Sequence, residues 1–201
     1  MNNQELILKL AEINAVKFGE FTLKSGMKSP IYIDLRVIVS YPSVMKTIIA
    51  AFKEKIAQDN IQYDLMAGIP YTALPIASVL SIELNTPMIY ARKEVKDYGT
   101  KKKIEGVYKA GQTCLVIDDL ITTGASKFET AAPFESEGLK IKDFVVLVDR
   151  EQGGKKQLEA KGYQLHSVIT LSEVLTVMKT AGKIDEAMCN KVQEFIKNNQ
   201  I

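Results

Sequence analysis

Residues 114–126, CLVIDDLITTGAS, constrain this chain more than any other stretch, because an apolar run ends in two adjacent carboxylates and passes at once into a hydroxyl-rich turn containing glycine. Leu115, Val116 and Ile117 predict a buried strand over 114–118, and Thr122, Thr123, Gly124 and Ser126 predict a turn opening a helix near Lys127. Backbone N–H groups at such a turn, backed by the positive end of the helix, form an anion site suited to phosphate. Asp118 and Asp119 stand just before that anchor, where their acceptor-only oxygens suit the vicinal hydroxyls of a ribose. Phosphate at one end and diol acceptors beside it describe a ribose 5-phosphate. An ordinary helix cap would account for the Thr-Gly pair alone. It would leave a poorly solvated carboxylate at the end of an apolar strand for no structural benefit, which is expensive.

At 201 residues and 46% hydrophobic content the chain can bury one large α/β core. The two cysteines, Cys114 in a predicted strand and Cys189 in a predicted helix, read as small core residues in a reducing compartment. No run approaches the ~20 apolar residues of a membrane span, and the N-terminus lacks a basic segment followed by an apolar one. A cytoplasmic protein with no membrane partner is the expectation. A net charge of +2, from 26 basic and 24 acidic residues, does not point to a nucleic-acid partner.

Leu6, Ile7, Leu10 and Ile13 recur at helical spacing over 4–16, with Phe18-Gly19 as the stop. Apolar runs at 64–69, 87–91, 114–118, 143–149 and 164–170 alternate with helical patterns at 42–58, 73–84, 125–137 and 155–161. Strands alternating with helices predict a parallel sheet covered on both faces. Two more helices are predicted over 171–179 and 184–197, and residues 18–40 form a candidate flap. The whole chain, 1–201, reads as a single domain.

Ligands of open α/β sheets gather beyond the carboxyl ends of the strands. The residues that follow the apolar runs are Pro70-Tyr71-Thr72, Arg92-Lys93, Asp118-Asp119 and Asp149-Arg150. Residues 92–103, RKEVKDYGTKKK, set six cations against two acids around Gly99, a composition suited to closing over a polyanion. The stretch lacks the aromatic interleaving of a strand-binding surface. Lys24 could add charge toward a phosphate, and Tyr32 could offer a face to a planar heterocycle. The lone His166, inside an apolar run, reads as a buried, hydrogen-bonded residue, so acid–base chemistry falls to lysine, carboxylate, tyrosine or the substrate itself.

Together with FGEFTLKSG (18–26), SPIYIDLR (29–36), GIPYTALPIA (68–77), RKEVKDYGTK (92–101) and DREQGG (149–154), the phosphate-turn motif resembles the type I phosphoribosyltransferases. Within them it resembles the orotate phosphoribosyltransferases, above all the orotate-transferring domain of UMP synthases. The resemblance runs over nearly the whole chain, with its motifs in the family order. It implies the type I phosphoribosyltransferase fold, a central parallel sheet flanked by helices with a small N-terminal hood. It also implies conversion of orotate and phosphoribosyl diphosphate to orotidine 5′-monophosphate and pyrophosphate with Mg²⁺, held largely by substrate oxygens and by no metal cage of the protein. By the same resemblance Asp118 and Asp119 hold the ribose hydroxyls, and Thr122, Thr123, Gly124, Ala125 and Ser126 hold the 5′-phosphate. Lys24 and Tyr71 approach the diphosphate, while Arg92, Lys93 and Lys96 neutralise departing pyrophosphate, Lys96 doing so from a mobile catalytic loop over 93–110. Tyr32 and Arg150 recognise orotate. A homodimer with shared active sites is implied too, because in this family the loop reaches into the neighbouring subunit. Tyr98 stands where many bacterial relatives carry histidine, and Ala125 where a hydroxyl residue is usual, so that one phosphate contact is either lost or passed to Thr123 or Ser126. No decarboxylase signature is present, so UMP itself is not the expected product. The alternatives are transfer to another base, such as a purine, and a regulator that senses phosphoribosyl diphosphate without catalysis.

Overall fold

A computed structural model describes residues 3–22, 26–92 and 103–200. Helix α1 (Asn3–Glu12) is followed by a hairpin of β1 (Val16–Thr22) and β2 (Lys28–Ile33), a 3-10 turn at Leu35–Ser40, and helix α2 (Pro42–Gln58). The sheet elements then come in order: β3 (Leu65–Gly68), α3 (Ala73–Glu83), β4 (Met88–Ala91), β5 (Ile104–Glu105), β6 (Thr113–Ile121), α4 (Ala125–Ser136), β7 (Lys140–Asp149), α5 (Gly154–Ala160) and β8 (Gln164–Thr170). Helices α6 (Leu171–Thr180) and α7 (Glu186–Asn198) follow.

The six-stranded sheet runs β5-β4-β3-β6-β7-β8. Every pairing is parallel except that of β5 with β4. One apolar core lies between the sheet and α1, α2, α3, α6 and α7, and a second lies under α4 and α5. The central strands are therefore buried on both faces, which explains why they read as continuous apolar runs. From β3 the chain winds outward to β5, then returns to β6 and winds the other way. The strand order reverses between β3 and β6, and the crevice beyond that point is where an open α/β sheet binds its ligand.

Helix α2 covers the predicted 42–58, with Pro42 in its first turn, where a missing N–H costs nothing. Strand β8 covers the predicted 164–170. Several elements depart from expectation, three of them instructively. Helix α1 stops at Glu12 because Asn14 takes a left-handed φ of 57° and the Ala15 N–H closes on the Leu10 carbonyl at 2.9 Å, so β1 begins before Phe18. Strand β6 runs on to Ile121, paired throughout with β7, so both acids lie inside the strand. Strand β5 was not anticipated; two residues carry no readable period. None of the described helices is long and apolar enough to cross a membrane.

Candidate active site

The turn after β6 is shaped by Gly124, whose φ of 90° lies in the left-handed region that a side chain resists. It allows α4 to start at Ala125, where the predicted 125–137 pattern begins. Thr123 Oγ1 accepts from the Ala125 N–H at 3.4 Å, and the Lys127 N–H donates to the Gly124 carbonyl at 2.9 Å. The neighbouring loop after β7 closes on this turn: the Gly154 N–H donates to the Thr122 carbonyl at 3.0 Å. A Cβ on Gly154 would stand 2.6 Å from Ile121 Cγ1 and 2.7 Å from that carbonyl, so only glycine permits the approach. One residue from the strand end, the Arg150 N–H donates to the Ile121 carbonyl at 3.0 Å. Thr122, Gly154 and Arg150 thus share one rim.

Asp118 is buried, and each of its oxygens is engaged. Oδ1 accepts the Asp119 N–H at 2.9 Å and Oδ2 accepts Lys127 Nζ at 2.5 Å. The buried charge expected at this strand end is real, and its partner is a lysine that sequence reasoning did not single out. A lysine in the first turn of a helix ordinarily reaches water, and the partner acid of Lys127 lies outside the helical spacing that marks ion pairs in a sequence. Asp119 is half-buried and accepts the Leu120 N–H at 2.9 Å. Burial first, and then the charge of Asp118, pushes its pKa up to about 7. Asp149, buried at the end of β7, also has its pKa raised by burial, and it accepts the Glu151 N–H at 2.8 Å.

Two clefts open at this end of the sheet. In one, of about 350 Å³, Pro70, Arg92 and Ser126 line a common wall, which brings together the loops after β3, β4 and β6. The other, of about 320 Å³, is lined by Asp149, Gly153 and Lys155. Asp118 and Asp119 line neither cleft and lie in β6 beneath the turn. Arg92 pairs with Glu105 of β5 through both Nε and Nη2, so this cation is partly spoken for. Arg150 is half-buried and its Nε has no partner within the described residues. Burial disfavours its charged form. Tyr71, next to Pro70 across a cis peptide, is 65% exposed at the same rim. Tyr32 remains on the hairpin, stacked on Phe21 with ring centroids 5.5 Å apart and accepting from Arg36 Nη2 at 3.2 Å. Lys24, Lys93, Lys96 and Tyr98 lie outside the described residues. Of the expected 93–110 loop, the described part includes β5 and a bond from the Arg92 N–H to the Lys103 carbonyl at 2.9 Å.

His166 is far from this rim, near the start of β8. Its Nδ1 lies 2.5 Å from Asp59 and its Nε2 2.9 Å from Asp143, and Lys55 reaches Asp59 at 3.0 Å. The expected hydrogen-bonded role is what the structure shows, although the ring is half-buried.

A sheet with its strand reversal at β3 and β6, a phosphate-type turn at the reversal and a matching family model over residues 37–180 agree: the chain belongs to the phosphoribosyl transferase domain family. It is 41% identical over 177 residues to an orotate phosphoribosyltransferase of Caenorhabditis elegans, covering 88% of this chain and 78% of that protein. Within the family it therefore stands among the orotate phosphoribosyltransferases. It is also 46% identical over 194 residues to uridine 5′-monophosphate synthase of Bos taurus, across 96% of this chain and 40% of that one. The solved structure of Leishmania donovani UMP synthase superposes with a TM-score of 0.88 at 39% identity, across 98% of this chain and 43% of that one. The chain thus spans about two fifths of the length of these two longer relatives.

Proposed function

We propose that this chain transfers the phosphoribosyl group of 5-phosphoribosyl 1-diphosphate to orotate, giving orotidine 5′-monophosphate and pyrophosphate, a step of pyrimidine biosynthesis. One observation carries the choice of base. Arg150 holds a buried Nε with no partner among the described residues, at the rim where the phosphate turn lies. A guanidinium in that position seeks a planar anion, and the carboxylate of orotate accepts its fork of donors. A purine offers no carboxylate, which makes transfer to another base the weaker reading.

In this reading the N–H groups of 122–126, Ala125 included, cradle the 5′-phosphate, and the acid pair Asp118 and Asp119 stands on the ribose side. Tyr71 and Lys24 face the diphosphate, Tyr32 contributes to the base side, and Arg92, Lys93 and Lys96 offset the charge of the leaving pyrophosphate. Tyr98 belongs to the same loop. Displacement at the anomeric carbon develops oxocarbenium character, as in glycoside chemistry. The protein's contribution is then chiefly positional and electrostatic: it holds the orotate nitrogen in line and stabilises the departing group.

Mg²⁺ suits the donor chemistry of this rim as an ion carried by substrate oxygens. The acids there offer hard oxygen ligands, Asp118 is already paired with Lys127, and no group of three or more acidic, His or Cys residues converges among the described ones. Asp119 is the residue that would reach it, and the ion would neutralise charge on the diphosphate. A homodimer follows from the family resemblance and has support in α3, whose apolar residues occupy both its buried and its outer side. Ile82 is 80% exposed there. Free, buried Cys114 and Cys189 accord with a cytoplasmic setting. Loss of orotate absorbance on mixing the protein with Mg²⁺, orotate and phosphoribosyl diphosphate tests the proposal. Binding of the diphosphate without consumption would favour the sensing regulator instead.

A further inference from the structure

Resting on the phosphoribosyl-transfer reading, we propose that Lys127 is a positioning residue that gives the two acids different tasks: it locks Asp118 as a buried anchor and leaves Asp119 to receive the ribose hydroxyls. Lys127 is 2% exposed although it stands in the first turn of α4, where a lysine ordinarily reaches water. A buried ammonium persists only when it is paired and hydrogen-bonded. Its Nζ meets three acceptors on two elements: Asp118 Oδ2 at 2.5 Å, the Leu120 carbonyl, and Ser126 Oγ at 3.4 Å. One cation therefore joins the acid pair, the end of β6 and the phosphate turn.

The geometry divides the acids. Asp118 spends Oδ2 on Lys127 and Oδ1 on the Asp119 N–H. Among the described residues Asp119 accepts one backbone donor, the Leu120 N–H, and it is the more accessible of the two. Lys127 therefore fixes where Asp119 sits, because the carboxylate it holds also accepts the Asp119 N–H.

The test compares wild type, Lys127→Met, Asp118→Asn, Asp119→Asn and the Lys127→Met/Asp118→Asn double variant by steady-state kinetics and by calorimetric titration with phosphoribosyl diphosphate. In Lys127→Met the KM for phosphoribosyl diphosphate should rise about tenfold or more, while that for orotate moves less than about threefold. The double variant, which strands no buried charge, should keep the raised KM for phosphoribosyl diphosphate, because its acid pair has lost the cation that fixes it. An unchanged KM for phosphoribosyl diphosphate in Lys127→Met, or equal rises for both substrates, would overturn the proposal. So would loss of diphosphate binding in folded Asp118→Asn as severe as in Asp119→Asn, because Asp118 would then be a ribose ligand itself. Should Lys127→Met fail to fold, the double variant decides by the same pair of KM values. Wild type that binds the diphosphate without consuming orotate would defeat the reaction reading alone, and the binding titrations would still judge Lys127. Wild type that binds no diphosphate would overturn both.

Discussion

Asp119 makes the site sensitive to pH. Its pKa is raised to about 7 by burial and by Asp118, so the fold favours the neutral acid. That contribution to stability is complete below the ordinary carboxylate range and is lost as pH rises through about 7. The free protein should therefore lose stability over that window while its affinity for phosphoribosyl diphosphate rises, since only the carboxylate accepts two hydroxyls. Asp119→Asn should flatten both profiles, which thermal melts and calorimetry at several pH values would read. Arg150→Ala should weaken orotate binding by about tenfold to a hundredfold, the scale of one charge-assisted pair, with a smaller effect on the diphosphate. Equal weakening of both ligands in binding titrations would remove Arg150 from the base side. At this scale the sequence showed the acids and the arginine through their position after apolar runs. It concealed Lys127, because a lysine in a helix's first turn reads as solvated, and its burial depends on an acid nine residues earlier in a different element.

Among the elements, alternation of strand and helix was legible because strands buried on both faces announce themselves as apolar runs. What failed were boundaries fixed by single backbone angles or by neighbours. Asn14 ends α1 through its φ of 57°, while β6 continues through two acids because β7 pairs with it as far as Ile121 against Asp149. His166 illustrates the same dependence, since it ties α2 to β7 and β8 through Asp59 and Asp143, residues remote from it in sequence. His166→Ala should lower stability by about 1–2 kcal/mol, a value discounted for the partial exposure of all three side chains, and leave two carboxylates facing each other. The pair lies at the opposite end of the sheet from the rim. Denaturant melts should therefore show the loss, while the kcat of the folded variant stays near that of wild type.

For the whole molecule, α3 matters most, because a helix apolar on both sides is ordinarily covered. Under the proposed homodimer, Ile82 at 80% exposure would centre the contact with a second copy, next in sequence to Glu83 of a groove also lined by Lys46, Ile49, Ala50, Lys53 and Val79. Ile82→Asp should shift the protein toward monomer in analytical ultracentrifugation and lower activity with it, since the loop that carries Lys96 would serve the partner's site. A monomeric wild type would contradict that arrangement. The central claim is that one sheet rim, built by Gly124, Asp119 and Arg150, joins a ribose phosphate to an anionic base. Orotate absorbance, followed with phosphoribosyl diphosphate and Mg²⁺ present, tests it most directly. The account predicts that absorbance falls in wild type and that the fall is nearly abolished in Arg150→Ala at low orotate; undiminished absorbance with wild type, or equal turnover by both proteins, would contradict it.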